Sequence, residues 1–271
     1  MTEQYKELSG WLPQVIAIAH QAGHAIVEIY NGDFNIEHKS DKSPLTEADM
    51  AAHHIIVDGL KALTPDIPVL SEESARIPFA ERSSWDRYWL VDPLDGTREF
   101  IKRNGEFTVN IALIDGHQAI MGVIVVPVTG QCFYACRGQG AYTEFNGSEA
   151  VAMHVRTLDP NNILIAGSRS HAGDRLKVFL KNIGEHELVS MGSSLKSCLV
   201  AEGKADIYPR LGPTSEWDTA AAQAIVEEAG GQITTLDMKQ LRYNTKDSLL
   251  NPEFLVIGDA SFDWAQYLPE D

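Results

Sequence analysis

The sequence predicts a mixed fold in two parts, helices packed on a largely antiparallel sheet over residues 1–155 and an α/β part over residues 156–271. Three observations carry this expectation. An amphipathic helix opens the chain, strand-length apolar segments separated by hairpin signals follow it, and strand-like and helix-like segments then alternate.

From Trp11 to Tyr30 the residues Trp11, Leu12, Val15, Ile18, Ala19, Ala22, Ile26 and Ile29 recur at spacings of three and four, as on a helix with one buried face. A second helix is expected from Thr46, whose hydroxyl can accept from free N–H groups of the next turn, to just before Pro65. Asp49 falls in its first turn, where the helix dipole favours a carboxylate. Pro68-Val69-Leu70 leads to Ser71-Glu72-Glu73, and Tyr88-Trp89-Leu90-Val91 leads to Asp92. Buried strands that deliver carboxylates at their ends give this pattern. Phe107 to Ile114, Ala119 to Val126 and Gln131 to Ala135 read as strands joined through Asp115-Gly116 and Thr129-Gly130.

In the second part, Ile163–Ala166, Glu187–Val189, Asp206–Tyr208, Gln232–Thr235 and Phe254–Ile257 read as strands. Helices are expected over Asp174–Asn182, Ser194–Glu202 and Trp217–Ala229, the last ended by Gly230-Gly231.

With 38 acidic against 22 basic residues and a formal charge of -16, the chain is unsuited to gripping a nucleic-acid polymer through a basic surface. A small anion remains possible where cations mediate its binding. The three cysteines imply no disulfide framework, and Cys132 and Cys136 fall on one face of a strand. His53 and His54 point in different directions on a helix, which disfavours a metal pair. The first residues lack a secretory signal pattern and no apolar run reaches the roughly 18 residues of a membrane span. A cytoplasmic protein, monomer or homodimer, is therefore expected, with peripheral association at the inner face of the membrane left open.

Asp92-Pro93-Leu94-Asp95-Gly96-Thr97 sets two carboxylates three residues apart at a strand end, where Pro93 and Gly96 shape a tight turn. Alone, the hexapeptide also fits a polar turn capped by Asp95. Glu72 after another strand and Asp218 opening another helix change the balance, because four carboxylates at element ends suit a magnesium site assembled between two subdomains. Two cations about 4 Å apart can bridge a phosphate and stabilise attacking and leaving oxygens. Gly96 and Thr97 would offer backbone N–H groups to that phosphate.

Together with Ser71-Glu72-Glu73-Ser74, Trp217-Asp218, Thr46-Glu47-Ala48-Asp49 and Glu227-Glu228-Ala229-Gly230-Gly231, this hexapeptide resembles the magnesium-dependent, lithium-sensitive inositol monophosphatase superfamily. The resemblance spans almost the whole chain and implies a layered αβαβα sandwich of two subdomains. It implies two or three magnesium ions, with Glu72, Asp92, Asp95, Asp218 and the Leu94 carbonyl as ligands and Glu73 as an auxiliary group. Thr97 and Asp49 match the pair that orients and deprotonates the attacking water.

The second part is similar to the 3'(2'),5'-bisphosphate nucleotidases of CysQ type in Gly167-Ser168-Arg169-Ser170-His171, Ser193-Ser194-Leu195-Lys196 and Tyr208-Pro209-Arg210-Leu211. That similarity implies His171 against an adenosine and Ser193, Lys196 and Arg210 on the nucleotide or its retained phosphate, with Glu72, Asp95, Gly96, Thr97 and Asp218 around the phosphate to be removed. Taken singly, Lys196 also fits an exposed helix position, Arg210 a strand-end salt bridge and His171 an ordinary loop. The implied reaction is hydrolysis of adenosine 3',5'-bisphosphate to AMP and phosphate, with 3'-phosphoadenylyl sulfate as a second substrate in sulfur metabolism. An inositol or broad sugar phosphatase of the same fold, and a non-catalytic phosphate-metabolite sensor, are the alternatives.

Overall fold

A computed structural model of the chain describes residues 6–32, 36–38, 44–167 and 173–269. Helices α1 (Lys6–Tyr30) and α2 (Glu47–Leu63) flank a short antiparallel pair, β1 (Ile36–His38) and β2 (Pro44–Thr46). Helix α1 starts before Trp11 because Leu8, seven residues ahead of Val15, continues the buried stripe. Burial thus carries the helix through Pro13, a residue that lacks the N–H an interior position normally donates.

The larger sheet has seven strands in sequential order: β3 (Val69–Ser71), β4 (Arg87–Asp95), β5 (Thr108–Asp115), β6 (Gln118–Val126), β7 (Gln131–Cys136), β8 (Ala141–Phe145) and β9 (Val151–Met153). Only the β3–β4 pair is parallel. Two short helices interrupt the series, α3 (Phe79–Arg82) and α4 (Thr97–Ile101). The five-stranded sheet is built from β10 (Leu164–Gly167), β11 (Glu187–Ser190), β12 (Ile207–Arg210), β13 (Gln232–Thr235) and β14 (Phe254–Ile257) in the order β11-β10-β12-β14-β13. Helices α5 (Asp174–Ile183), α6 (Leu195–Ala201) and α7 (Ala220–Glu228) complete the chain.

Three apolar cores define five layers, as the αβαβα expectation requires. The first joins α1 and α2 to one face of the large sheet through Val15, Ile18, Ile26, Ile56, Trp89 and Val123. Cys132 and Cys136 lie together in it, both buried. The second core fills the space between the sheets with α6 and α7, and the third packs α5 and the C-terminal turn at Trp264–Tyr267 on the outer face of the small sheet.

Two details place the elements that carry carboxylates. Helix α2 is tied to the large sheet at Trp89, whose Nε1–H donates to Thr64 Oγ1 at 2.8 Å, and at Ser71, whose Oγ lies 2.9 Å from His53 Nδ1. On the other side, α7 approaches the sheet through Ala220, Ala221, Ala222 and Ala224, and a Cβ at Gly122 would stand 2.1 Å from the Ala221 carbonyl oxygen. Gly122 on the central strand β6 is therefore what permits this contact. Replacing it with alanine would push α7 off the sheet and lower the unfolding free energy by about 1–3 kcal/mol, measurable by urea denaturation; an unchanged midpoint would refute the contact.

Candidate active site

Strand β4 delivers two of the expected carboxylates through a bulge. Asp92 stands opposite Asn110 and Asp95 opposite Thr108, so the β4 segment holds one residue more than its partner. In a regular strand, positions three apart face opposite sides; the extra residue turns both side chains to one side. Pro93 suits the bulge because it has no N–H to leave unpaired, and the Leu94 N–H closes the turn on Asp92 Oδ1 at 3.0 Å. Gly96 follows at φ 94°, the left-handed region where glycine carries no steric penalty, and starts α4.

Asp218 comes from the other side of the molecule. It ends a three-residue turn, Glu216–Asp218, instead of opening a helix, and α7 starts two residues later at Ala220. The turn is fixed because the Ser215 N–H donates to Asp218 Oδ2 at 2.8 Å while Ser215 caps the turn in return. Ligand oxygens of Asp92, Asp95 and Asp218 all lie within 4.8 Å of one another, and this is the group of potential metal ligands among the described residues.

Two residues to which the sequence assigned no role at the carboxylates, Ser194 and Asn110, hold this cluster. The Ser194 N–H and hydroxyl both reach Asp95 Oδ2 at 2.6 Å, the hydroxyl also lies 2.9 Å from the Asp218 carbonyl, and Asn110 Nδ2 donates to Ser194 Oγ at 2.9 Å. Ser194 occupies the N-cap of α6 yet makes no capping bond with its side chain, which is turned to Asp95 instead. The sequence placed Ser194 at the start of a helix; only the folded geometry shows its side chain turned to Asp95.

The electrostatics follow from burial. Desolvation, then the charges of Glu72, Asp95, Asp218 and Asp49, hold the Asp92 carboxyl well above the usual range. Asp218 is pushed up to about 8, first by desolvation and next by Asp95. Glu72, in the turn that follows β3, stands outside the compact trio, although its charge acts on both Asp92 and Asp218. Such an all-oxygen, negatively charged set fits a hard divalent cation better than it fits zinc.

Asp49 and Thr97 also meet. Thr97 Oγ1 lies 3.3 Å from Asp49 Oδ1 and 3.4 Å from the Leu94 carbonyl. The other Asp49 oxygen accepts from the Thr46 N–H at 2.7 Å and the Thr46 hydroxyl at 2.6 Å, a capping box at the start of α2. Asp49 is thus both helix cap and neighbour of Thr97.

Beyond the carboxylates a cleft of about 790 Å³ runs between the two sheets, and Ser193, Lys196, Tyr208 and Arg210 line it with Asp95, Gly96 and Asp218. Lys196 is buried, contrary to the exposed helix position its sequence also allowed. Its Nζ donates to the Ser193 carbonyl at 2.6 Å, sits 5.3 Å from the centre of the Tyr208 ring, and is pushed down to about 8 chiefly by desolvation. Arg210, at the end of β12, donates to the Pro213 carbonyl at 2.9 Å and its charge acts on Asp218, while its Nε and the Ser193 hydroxyl are buried without a hydrogen-bond partner among the described residues. His171, with Ser168, Arg169 and Ser170, lies outside the described residues.

This fold and this carboxylate-lined cleft agree with the inositol monophosphatase family, whose profile matches residues 7–260; the chain belongs to that family. Within it, the chain is 51% identical over 247 residues to the 3'(2'),5'-bisphosphate nucleotidase CysQ of Salmonella typhimurium, covering 90% of this chain and 98% of the relative. The crystal structure of CysQ from Bacteroides thetaiotaomicron superposes with a TM-score of 0.79 at 42% identity, covering 90% of this chain and 96% of that one. The suhB protein of Bartonella henselae, at 24% identity and a TM-score of 0.79 over 96% of this chain and 99% of its own, shares the fold. Among the described residues no helix is long and apolar enough to cross a membrane.

The raised Asp218 carboxyl has a thermodynamic consequence. An exposed aspartate titrates near pH 4, so between about pH 4 and 8 the folded metal-free chain keeps a proton that the unfolded chain has lost. Stability of the metal-free protein should therefore fall as pH rises through that window. A cation bound only by the ionised folded state opposes this trend. Calorimetry should show Tm falling from about pH 5 to about pH 8 without metal, a larger Mg²⁺-induced rise at the higher pH, and a flatter metal-free slope in Asp218→Asn; a metal-free Tm that climbs through the window would contradict the assignment.

Proposed function

We propose that the chain is a magnesium-dependent phosphatase that hydrolyses adenosine 3',5'-bisphosphate to AMP and phosphate and also acts on 3'-phosphoadenylyl sulfate. The observation that carries the reading is the Thr97–Asp49 contact beside the carboxylate trio, two of whose members, Asp95 and Asp218, line a cleft that also holds Arg98, Lys196 and Arg210. Identity of 51% to a relative named as a bisphosphate nucleotidase supports the nucleotide as substrate.

Asp92, Asp95 and Asp218, with Glu72 and the Leu94 carbonyl, are the groups proposed to hold magnesium. Bound there, magnesium would place positive charge against the phosphate oxygens and make water acidic enough to serve as nucleophile at neutral pH. Thr97 and Asp49 do the work of aiming and deprotonation. Two donors hold Asp49 Oδ2, which leaves Oδ1 as the acceptor facing Thr97. The Thr97 hydroxyl, while donating to Oδ1, still has a lone pair to accept from the attacking water. The proton passes along this pair to Asp49 as the water oxygen bonds to phosphorus and the bond from phosphorus to the 3'-oxygen breaks; the departing 3'-oxygen takes its proton from a solvent water, and Asp49 later returns its proton to solvent.

The cleft divides the labour between two phosphates. While the carboxylate end takes the phosphate to be removed, the retained phosphate is assigned to Lys196 and Arg210. Arg210 still has N–H groups to offer, and a buried lysine gains most from an anion that restores its charge. Ser193 is assigned to the nucleotide and His171 to the adenosine face, as the resemblance implies.

Phosphate release from adenosine 3',5'-bisphosphate and inositol 1-phosphate, measured side by side with Mg²⁺, should favour the nucleotide. A clear preference for the inositol ester would overturn the substrate, and no release from either would leave a sensor. Asp49→Asn should lower kcat by about 10²-fold or more while KM moves less than about threefold; a kcat close to the parent's would remove Asp49 from the chemistry.

A further inference from the structure

Beside the Asp218 turn, three buried polar residues with no role in the proposed chemistry form a connected chain. Arg82 on α3, Asn244 in the segment after β13 and Glu216 in the Asp218 turn are each 1% exposed. Arg82 Nη1 donates to Asn244 Oδ1, and Asn244 Nδ2 returns a bond to the Arg82 carbonyl at 2.6 Å. The Asn244 backbone N–H then donates to Glu216 Oε2 at 2.8 Å. Arg82 Nη2 donates to the carbonyls of Lys246 and Asp247, and Nε is buried without a hydrogen-bond partner among the described residues.

The same segment grips the Asp218 turn along its length. The Glu216 N–H donates to the Leu249 carbonyl at 2.8 Å, the Asn251 N–H to the Thr214 carbonyl at 2.9 Å, and Asn251 Nδ2 to the Ser215 carbonyl at 2.7 Å. Asn244 holds a left-handed backbone at φ 54°, which brings its N–H and its side chain to different partners. Burying a guanidinium and a carboxyl with an amide between them is costly, and the hydrogen bonds above offset part of that cost. A fold that only needed to close its core here would do so with apolar groups.

We propose that Arg82, Asn244 and Glu216 form a positioning clamp that presets the Asp218 carboxylate for a divalent cation. The inference rests on the reading of Asp218 as a cation-holding group. Because the trio repels itself, a turn free to shift would carry Asp218 away from Asp92 and Asp95, and a cation would then have to pull it back. The clamp removes that reorganisation from the cost of binding.

Calorimetric titration of the substrate-free, full-length protein with Mg²⁺ tests this. Asn244→Gly keeps the left-handed backbone and the N–H to Glu216 but cuts the link to Arg82; it should weaken Mg²⁺ binding about tenfold. Nucleotide KM at saturating Mg²⁺ should stay within about twofold of the parent. Asn244→Asp retains the acceptor for Arg82 and should restore affinity to within about threefold. Unchanged Mg²⁺ affinity in a folded Asn244→Gly protein overturns the clamp, as does a loss that Asn244→Asp shares in full. Should Asn244→Gly melt below the assay temperature, Arg82→Lys, which keeps the charge but loses the forked donors, is held to the same two outcomes. Failure of the underlying reading is distinct: the parent protein would then bind no Mg²⁺, or Asp218→Asn would bind it as tightly as the parent.

Discussion

The molecule is organised around a repulsion. Asp92, Asp95 and Asp218 are forced to within 4.8 Å of one another in surroundings dry enough to lift the carboxyls of Asp92 and Asp218. Nothing about such a cluster favours folding. The rest of the structure can be understood as what is required to hold it: a bulge to turn two residues of one strand the same way, a capped turn to present the third, and donors such as Ser194 and Ser215 to absorb part of the charge.

Stability comes from elsewhere. The three apolar layers supply the favourable free energy, at a coefficient of roughly 25 cal/mol per Å² of apolar surface buried. They also set distances. Small alanines on α7 and a glycine on β6 bring a helix backbone against a sheet, and that approach fixes where the Asp218 turn begins. Packing and chemistry are coupled here through the backbone, so a change in the core between the sheets would be felt at the carboxylates.

Most of the layered fold was legible because its elements have clean periods. The stripe of α1, the cap of α2 and the hairpin signals around β5, β6 and β7 all placed elements to within a few residues. Strand β8 escaped because its alternating buried positions are the small or polar Ala141 and Thr143, and β9 because Val151 and Ala152 are exposed and Met153 alone is buried. At the site, residues whose chemistry is unusual for their position could be found from sequence: two acids around a Pro-Leu turn, or an acid after a strand. Ser194 and Asn110 could not, since each is an ordinary residue in an ordinary place until the chain brings Asp95 beside it. Lys196 was singled out in the sequence, but its burial depends on contacts with the Ser193 carbonyl and the Tyr208 ring that no helical pattern encodes.

The docking of α7 on β6 bears on when this protein becomes competent during its synthesis. Asp92 and Asp95 leave the ribosome long before Asp218, and the segment that braces the Asp218 turn, reaching to Asn251, emerges later still. Until that last stretch has docked, the first sheet offers an incomplete set of oxygens and no walled cleft. A nascent or truncated chain would therefore be a poor cation trap and a poor catalyst, and activity would serve as a report that both ends of the polypeptide have reached their final partners.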